Sequence, residues 1–313
     1  MKPATLLATT LLLAACGGAD ATTGAGATAP ATPVAPHLHV DVYAAAESNV
    51  NSYVVSDDAG AILIDATRNS ADARGALALA RATGHDPSLV FVTHGHPDHF
   101  LGLGALRAEV PGLRIVVATE AIKQDVIGFA TWMDGQGWLD GEPGMKPRSA
   151  AAPDGFDYAG AIEVLDGDHL VLPGGEALEV RADYPAAEAA HTSTLYAPQL
   201  GALFASDLAY HDVHLWLGVG VTRDAAAAWQ QVAAQLAAAY PATTTIYPGH
   251  GAPTDPGVFA AVRGYIDDLL AVADAAADDQ AAIDAMVAKY PGYANRDFLL
   301  TMSVANQRQL ARP

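Results

Sequence analysis

Short apolar runs alternate with longer stretches of helical spacing along most of this chain. Four runs, Ser52–Val55, Ala61–Ile64, Leu89–Val92 and Arg114–Ala118, read as strands, and helices are expected at about Asn69–Ala82, Leu101–Glu109 and Glu120–Phe129. A second series follows, with strands near Glu163–Leu165, Leu178–Ala182, Thr194–Ala197, Ala202–Ala205 and Thr244–Ile246, covered by helices near Arg223–Ala238 and Gly257–Ala275. The C-terminal stretch from Val258 through Ala288 is alanine-rich and helical in spacing, with a final segment over Leu299–Leu310. Its apolar positions, Ile266, Leu269, Leu270 and Val272, are explained by packing or by self-association, so the oligomeric state stays open. Alternating strands and helices over this length predict one large α/β domain, residues 37–313.

The first residues break from this pattern. Met1-Lys2 is followed by the apolar Leu6-Leu7-Ala8 and Leu11-Leu12-Leu13 and by small residues up to Cys16, the layout of a secretory signal over residues 1–15. The apolar part is too short to span a membrane as a stable anchor. Leu13-Ala14-Ala15-Cys16 resembles a bacterial lipobox, which implies that Cys16 becomes the lipidated first residue of the mature chain. Gly17 after it, by the same resemblance, implies sorting to the outer membrane, with the domain on its periplasmic face. Residues 16–36 are small, nearly uncharged and broken by Pro30, Pro33 and Pro36, and so read as a flexible tether. Cys16 is the only cysteine, leaving neither an intrachain disulfide nor a thiolate for chemistry. The formal charge of −19 excludes a nucleic-acid partner, which needs a basic footprint.

Chemistry concentrates after the third strand, in Thr93-His94-Gly95-His96-Pro97-Asp98-His99, on a strand-to-helix loop. In an extended segment His94 and His96 point the same way and can grip one ion, while Asp98 and His99 turn aside and can hold a second. The His-x-His-x-Asp-His cluster resembles the signature of the metallo-β-lactamase-fold hydrolases, over roughly residues 40–260. That resemblance implies an αβ/βα four-layer sandwich with metal ligands gathered at one edge. It implies one ion on His94, His96 and His191 and another on Asp98, His99 and His250, with Asp207 bridging. The ions implied are two zinc, with iron or manganese able to take the same ligands. Asp65, at the end of an early strand, matches a family aspartate that supports the metal loop without ligating.

Tyr210, three positions after Asp207, resembles in spacing a tyrosine of acyl-homoserine lactone lactonases and is expected to offer its hydroxyl to a substrate oxyanion. Asp98 is expected to orient the attacking hydroxide and shuttle its proton. The substrate expected is a small ester, lactone or related carbonyl compound. Hydrolysis of β-lactams or thioesters, an iron-dependent persulfide dioxygenase and a non-catalytic metal-binding lipoprotein stay open as alternatives. The glycine-rich span Phe129–Phe156, with Trp132 and Trp138, reads as a lid, a pocket wall or a packing cluster. Trp216, His211 and His214 are further residues near the site in sequence.

Overall fold

The computed structural model describes residues 38–311; the expected signal segment and tether lie outside the described residues. A six-stranded sheet runs in sequence order through β1 (His39–Ala44), β2 (Asn51–Asp57), β3 (Gly60–Ile64), β4 (Pro87–Val92), β5 (Arg114–Val117) and β6 (Ile162–Val164). Its first three strands are antiparallel and the steps from β3 to β6 parallel. The second sheet comprises β7 (His169–Val171), β8 (Ala177–Arg181), β9 (Thr194–Ala197), β10 (Ala202–Tyr210) and β11 (Thr245–His250), in the order β11-β10-β9-β8-β7. Only its β10–β11 step is parallel.

The helices of the first half are α1 (Ser70–Ala82), α2 (Pro97–Phe100), α3 (Leu103–Glu109), α4 (Glu120–Gly135) and α5 (Tyr158–Ala161). Those of the second are α6 (Arg223–Ala239), α7 (Gly257–Ala275), α8 (Asp279–Lys289) and α9 (Thr301–Ala311). Side-chain oxygens start several of them: Asn69, Thr119, Thr222 and Asp278 each accept from a backbone N–H three residues on.

Strand periodicity divides the core into layers. In β3, Ala61 and Leu63 join the apolar cluster under α1, α3 and α4, while Ile62 and Ile64 point into the space between the sheets. β4 repeats this, with Val90 and Val92 under the helices and Leu89 and Phe91 between the sheets. Across the gap, Phe204 and Leu195 face the same central cluster, and Leu203 and Ala205 turn outward to α6 and α7. Helices, sheet, sheet and helices form the four layers of an αβ/βα sandwich. Truncating a buried ring such as Phe91 or Phe204 to alanine would cost about 3–5 kcal/mol, because the packed layers can close the void only in part.

The elements differ from the sequence reading in a few places. β1 and β7 are additional edge strands: β1 carries polar residues on one side, and β7 has three residues, too few for a visible alternation. α4 continues to Gly135, because Ile122, Val126, Ala130 and Met133 keep one face buried. The span Phe129–Phe156 therefore begins as helix, with Trp132 on its exposed side, and beyond it Leu139, Met145 and Phe156 pack into the core while Trp138 stays exposed. The helix expected over Val258–Ala288 is broken at Ala276, and Asp278 caps a fresh start at α8. β10 runs to Tyr210 rather than Ala205, which carries Asp207 into the interior. No helix among the described residues is long and apolar enough to cross a membrane.

Candidate metal centre

The C-terminal ends of β4, β10 and β11 meet at one edge of the sandwich, the end of a sheet where loops gather side chains from several strands. β4 delivers Thr93-His94-Gly95-His96, and Pro97 at the first turn of α2 then rotates Asp98 and His99 to another side. β10 supplies Asp207, and the end of β11 supplies His250. Glu188 comes from the loop before β9.

Donor atoms of these residues form two adjoining groups, His94, His96, Glu188 and Asp207 in one and Asp98, His99 and His250 in the other. In the first group His96 Nδ1 lies 2.9 Å from Glu188 Oε1, and His94 Nε2 lies 3.8 Å from both Glu188 Oε2 and Asp207 Oδ2. The second is joined to Asp207 by His99 Nε2 at 3.2 Å and His250 Nε2 at 3.2 Å, and Asp98 Oδ2 is 3.5 Å from the same nitrogen of His250. Asp207 therefore touches both groups.

Three of the four imidazoles, those of His94, His99 and His250, are oriented by their other nitrogen. His99 gives its Nδ1 to Asp65 Oδ2 at 2.8 Å, and His250 gives its Nδ1 to the Ser48 carbonyl at 2.8 Å, leaving both Nε2 lone pairs aimed inward. Asp65 also accepts from the Thr93 backbone N–H at 2.8 Å and from the Thr93 hydroxyl at 2.9 Å, so one carboxylate fixes both the loop and a ligand ring. It does so from the left-handed region, at φ 64°, a conformation that a non-glycine residue holds only under tertiary constraint. His94 Nδ1 sits between the Thr93 and Ser206 hydroxyls, 3.1 Å from each. A Cβ on Gly249 would collide with Asp207 Oδ1, so glycine there admits the carboxylate.

Electrostatics follow from burial. Burial and the neighbouring His99 hold His94 well below the usual histidine range, keeping it neutral. Burial alone would raise Asp207, but His99, His250 and His94 around it outweigh that and hold its carboxyl well below the usual range. Burial pushes the Glu188 carboxyl up against the opposing pull of His96. Four buried atoms, His94 Nε2, His99 Nε2, Glu188 Oε2 and Asp207 Oδ1, have no hydrogen-bond partner. Orphaned polar atoms this deep are costly, and here they are nitrogens and carboxylate oxygens of the kind that ligate divalent ions, so the residues fit a metal centre.

Of the residues singled out in the sequence, His94, His96, Asp98, His99, Asp207 and His250 are brought together. His191 is not: it is half exposed, and its Nδ1 pairs with Asp125 Oδ2 of α4 at 2.8 Å. Glu188 stands among the donors instead, 3% exposed. In sequence its one mark is to be the lone charge within Ala186–Ala190. Tyr210 is buried beside Asp207 and stacks on His250 with ring centroids 4.6 Å apart and 6° between planes. Asp125 and Ser48, which hold His191 and His250, carried no signal in the sequence.

An aromatic file leads away from the centre. Phe129 meets His96 edge-on at 5.7 Å, Trp132 meets Phe129 at 5.8 Å, and Trp138 meets Trp132 at 4.9 Å. Trp132 and Trp138 are 48% and 61% exposed, so the file ends in solvent.

A two-sheet sandwich with paired His/carboxylate groups that could hold metal at its open edge defines the class of fold. The chain belongs to the metallo-β-lactamase superfamily, whose family model matches residues 45–250. Among solved structures it is similar to a β-lactamase domain protein from Burkholderia ambifaria, with 18% identity, a TM-score of 0.61 and 91% of each chain covered. It is also similar to a metallo-β-lactamase family protein from Thermus thermophilus, with 19% identity, a TM-score of 0.57, and 86% of this chain and 91% of that one covered. At these identities the likeness is one of fold. No curated protein matches the chain in sequence.

Proposed function

We propose that the protein is a dinuclear metal-dependent hydrolase of small carboxylic esters, lactones or related carbonyl compounds. The observation that carries this reading is the convergence of orphaned, buried donor atoms from both sheets on one edge, with Asp207 in contact with both groups. His94 and His96 would hold one ion, Asp98, His99 and His250 the other, and Asp207 would lie between. Zinc, iron and manganese all accept such ligands. Held by these residues, two divalent ions would supply a hydroxide nucleophile at neutral pH and an electrophile for the carbonyl oxygen.

The chain's own residues do the rest. Asp65, Ser48, Thr93 and Ser206 fix the rings of His94, His99 and His250, so most of the donor geometry is in place before substrate arrives. Asp98 is the most solvent-accessible carboxylate of the groups, its side chain 15% exposed, and is placed to hold the proton released as water becomes a nucleophile. The aromatic file from His96 to Trp138 gives an apolar acyl or alkoxy portion a surface to lie on. Exclusion of water from the inner end follows from the burial of His94, His99, Asp207 and His250.

A panel of lactones, aryl esters, thioesters, β-lactams, phosphotriesters and a persulfide, run on metal-reconstituted protein in an oxygen-electrode cell, tests this. Ester or lactone turnover without oxygen uptake is expected. Oxygen consumption with a persulfide substrate, and no hydrolysis, would replace the reading with an oxygenase.

We further propose that the chain is exported and anchored at the cell envelope through a lipid on Cys16, the domain held off the membrane by residues 17–36. The Leu13-Ala14-Ala15-Cys16 motif and the uncharged, proline-punctuated stretch after it support this.

A further inference from the structure

We infer that Glu188, and not His191, is the third protein ligand of the ion held by His94 and His96. This rests on the dinuclear reading above and names the donor that completes its first site. Glu188 is 3% exposed, with Oε1 2.9 Å from His96 Nδ1 and Oε2 3.8 Å from His94 Nε2, and that second oxygen has no hydrogen-bond partner. A buried carboxylate facing two imidazole nitrogens, one oxygen unused, matches a ligand awaiting a cation better than a structural ion pair, which would satisfy both oxygens.

His191 is placed for something else. Its ring is half exposed and its Nδ1 is engaged by Asp125. The chain beside it is pinned, since Thr192 bridges to His94 while Ser193 donates both its N–H and its hydroxyl to the Thr93 carbonyl. Upstream, the Ala187 N–H bonds the Ala189 carbonyl and closes the turn that points Glu188 inward. Bringing His191 into the centre would break its Asp125 pair and displace a carboxylate already there.

The substitution changes the chemistry of the site. Two histidines and a carboxylate, with Asp207 as a further oxygen donor, make an equal nitrogen and oxygen set in place of a nitrogen-rich one. Oxygen donors suit harder ions, and two histidines with one carboxylate serve iron(II) as well as zinc, so the first site would accept iron(II) or manganese beside zinc.

The test compares the purified chain with Glu188→Gln and His191→Ala, each loaded anaerobically with Zn2+, Fe2+ or Mn2+ and dialysed. Metal content is read by mass spectrometry, and the cobalt(II)-loaded forms by visible absorption. Wild type and His191→Ala are expected to retain two ions with the same cobalt spectrum. Glu188→Gln is expected to retain one, or to bind the other at least tenfold more weakly. Loss of an ion from His191→Ala, an exposed position whose replacement leaves the fold intact, overturns the assignment whatever Glu188→Gln does. Two ions retained by Glu188→Gln also overturns it. A wild type that takes up no ion at saturating metal would overturn the dinuclear reading itself.

Discussion

The Tyr210 hydroxyl donates to Asp207 Oδ2 at 2.7 Å, so the phenol expected to face substrate is engaged with the carboxylate between the two donor groups. Burial, Asp207 and Glu188 together raise its pKa well above the tyrosine range, which keeps the proton on oxygen and the donor role fixed. Tyr210→Phe removes a hydrogen bond that orients a ligand. Metal affinity is expected to fall about 10–100-fold, with kcat restored at high metal concentration. If metal retention is unchanged and kcat alone drops, the hydroxyl serves the substrate directly.

Asp207 meets His94, His99 and His250, so its removal should act on both ions at once. Asp207→Ala is expected to leave at most one ion per chain by mass spectrometry and to lower hydrolysis by at least a hundredfold. An active wild type carrying a single ion would contradict the bridging role.

Substrate choice should follow charge. Asp98, Asp207 and Glu188 crowd one small volume, and opening a β-lactam adds a second anionic centre near them. Simple lactones or aryl esters are expected to be turned over more efficiently than a chromogenic cephalosporin. Within an ester series, Trp132→Ala should raise KM for long apolar acyl chains and leave acetyl esters unchanged. Efficient cephalosporin turnover with no ester or lactone cleaved would sink the preference.

His214 sets an acid limit on the fold. It is buried, with Nδ1 2.7 Å from the Tyr265 hydroxyl, and burial, with the positive charge of Arg296, holds it down to about 4. Unfolded, it titrates at its ordinary value of 6.5, so between these values the unfolded chain takes up the proton and the folded chain does not. Its contribution is fully present above pH 6.5 and is lost as pH falls through about 4, at most about 3 kcal/mol because water screens part of the effect. Urea titrations of His214→Gln across this range should show that much less pH dependence than wild type.

Replacing Cys16 by Ser is expected to move the protein from the membrane fraction to the soluble fraction with hydrolysis intact. Unchanged membrane fractionation would remove the lipid anchor from the picture.

The sheet cores were legible in the sequence because buried strands such as Leu89–Val92 are continuous apolar runs. The His94–His99 cluster was legible because its residue types and spacing have little structural use. Glu188 was hidden because a lone acid in a run of small residues reads as a solvated loop. Nothing in the one-dimensional pattern says that the loop before β9 turns inward. His191 drew attention for its type and place, yet a histidine's partner depends on what stands across from it, here Asp125, sixty-six residues earlier in the chain. Edge elements such as β1 and β7 escaped because a short or largely exposed strand has no fully buried face to enforce alternation.

His94, His96, Asp98 and His99 belong to the first sheet's loops, while Asp207 and His250 belong to the second, and β2 touches β11 at the same edge through Val50 and the Asn51 amide on the Pro248 and Gly251 carbonyls. Any ion bound there is a rivet through both halves of the sandwich. The melting temperature should therefore rise with free metal concentration, by the mass action of a ligand that binds the folded chain and not the unfolded one. Protein purified in the presence of a chelator should be more fragile than the same chain reloaded with metal, so careless handling would register first as heat sensitivity.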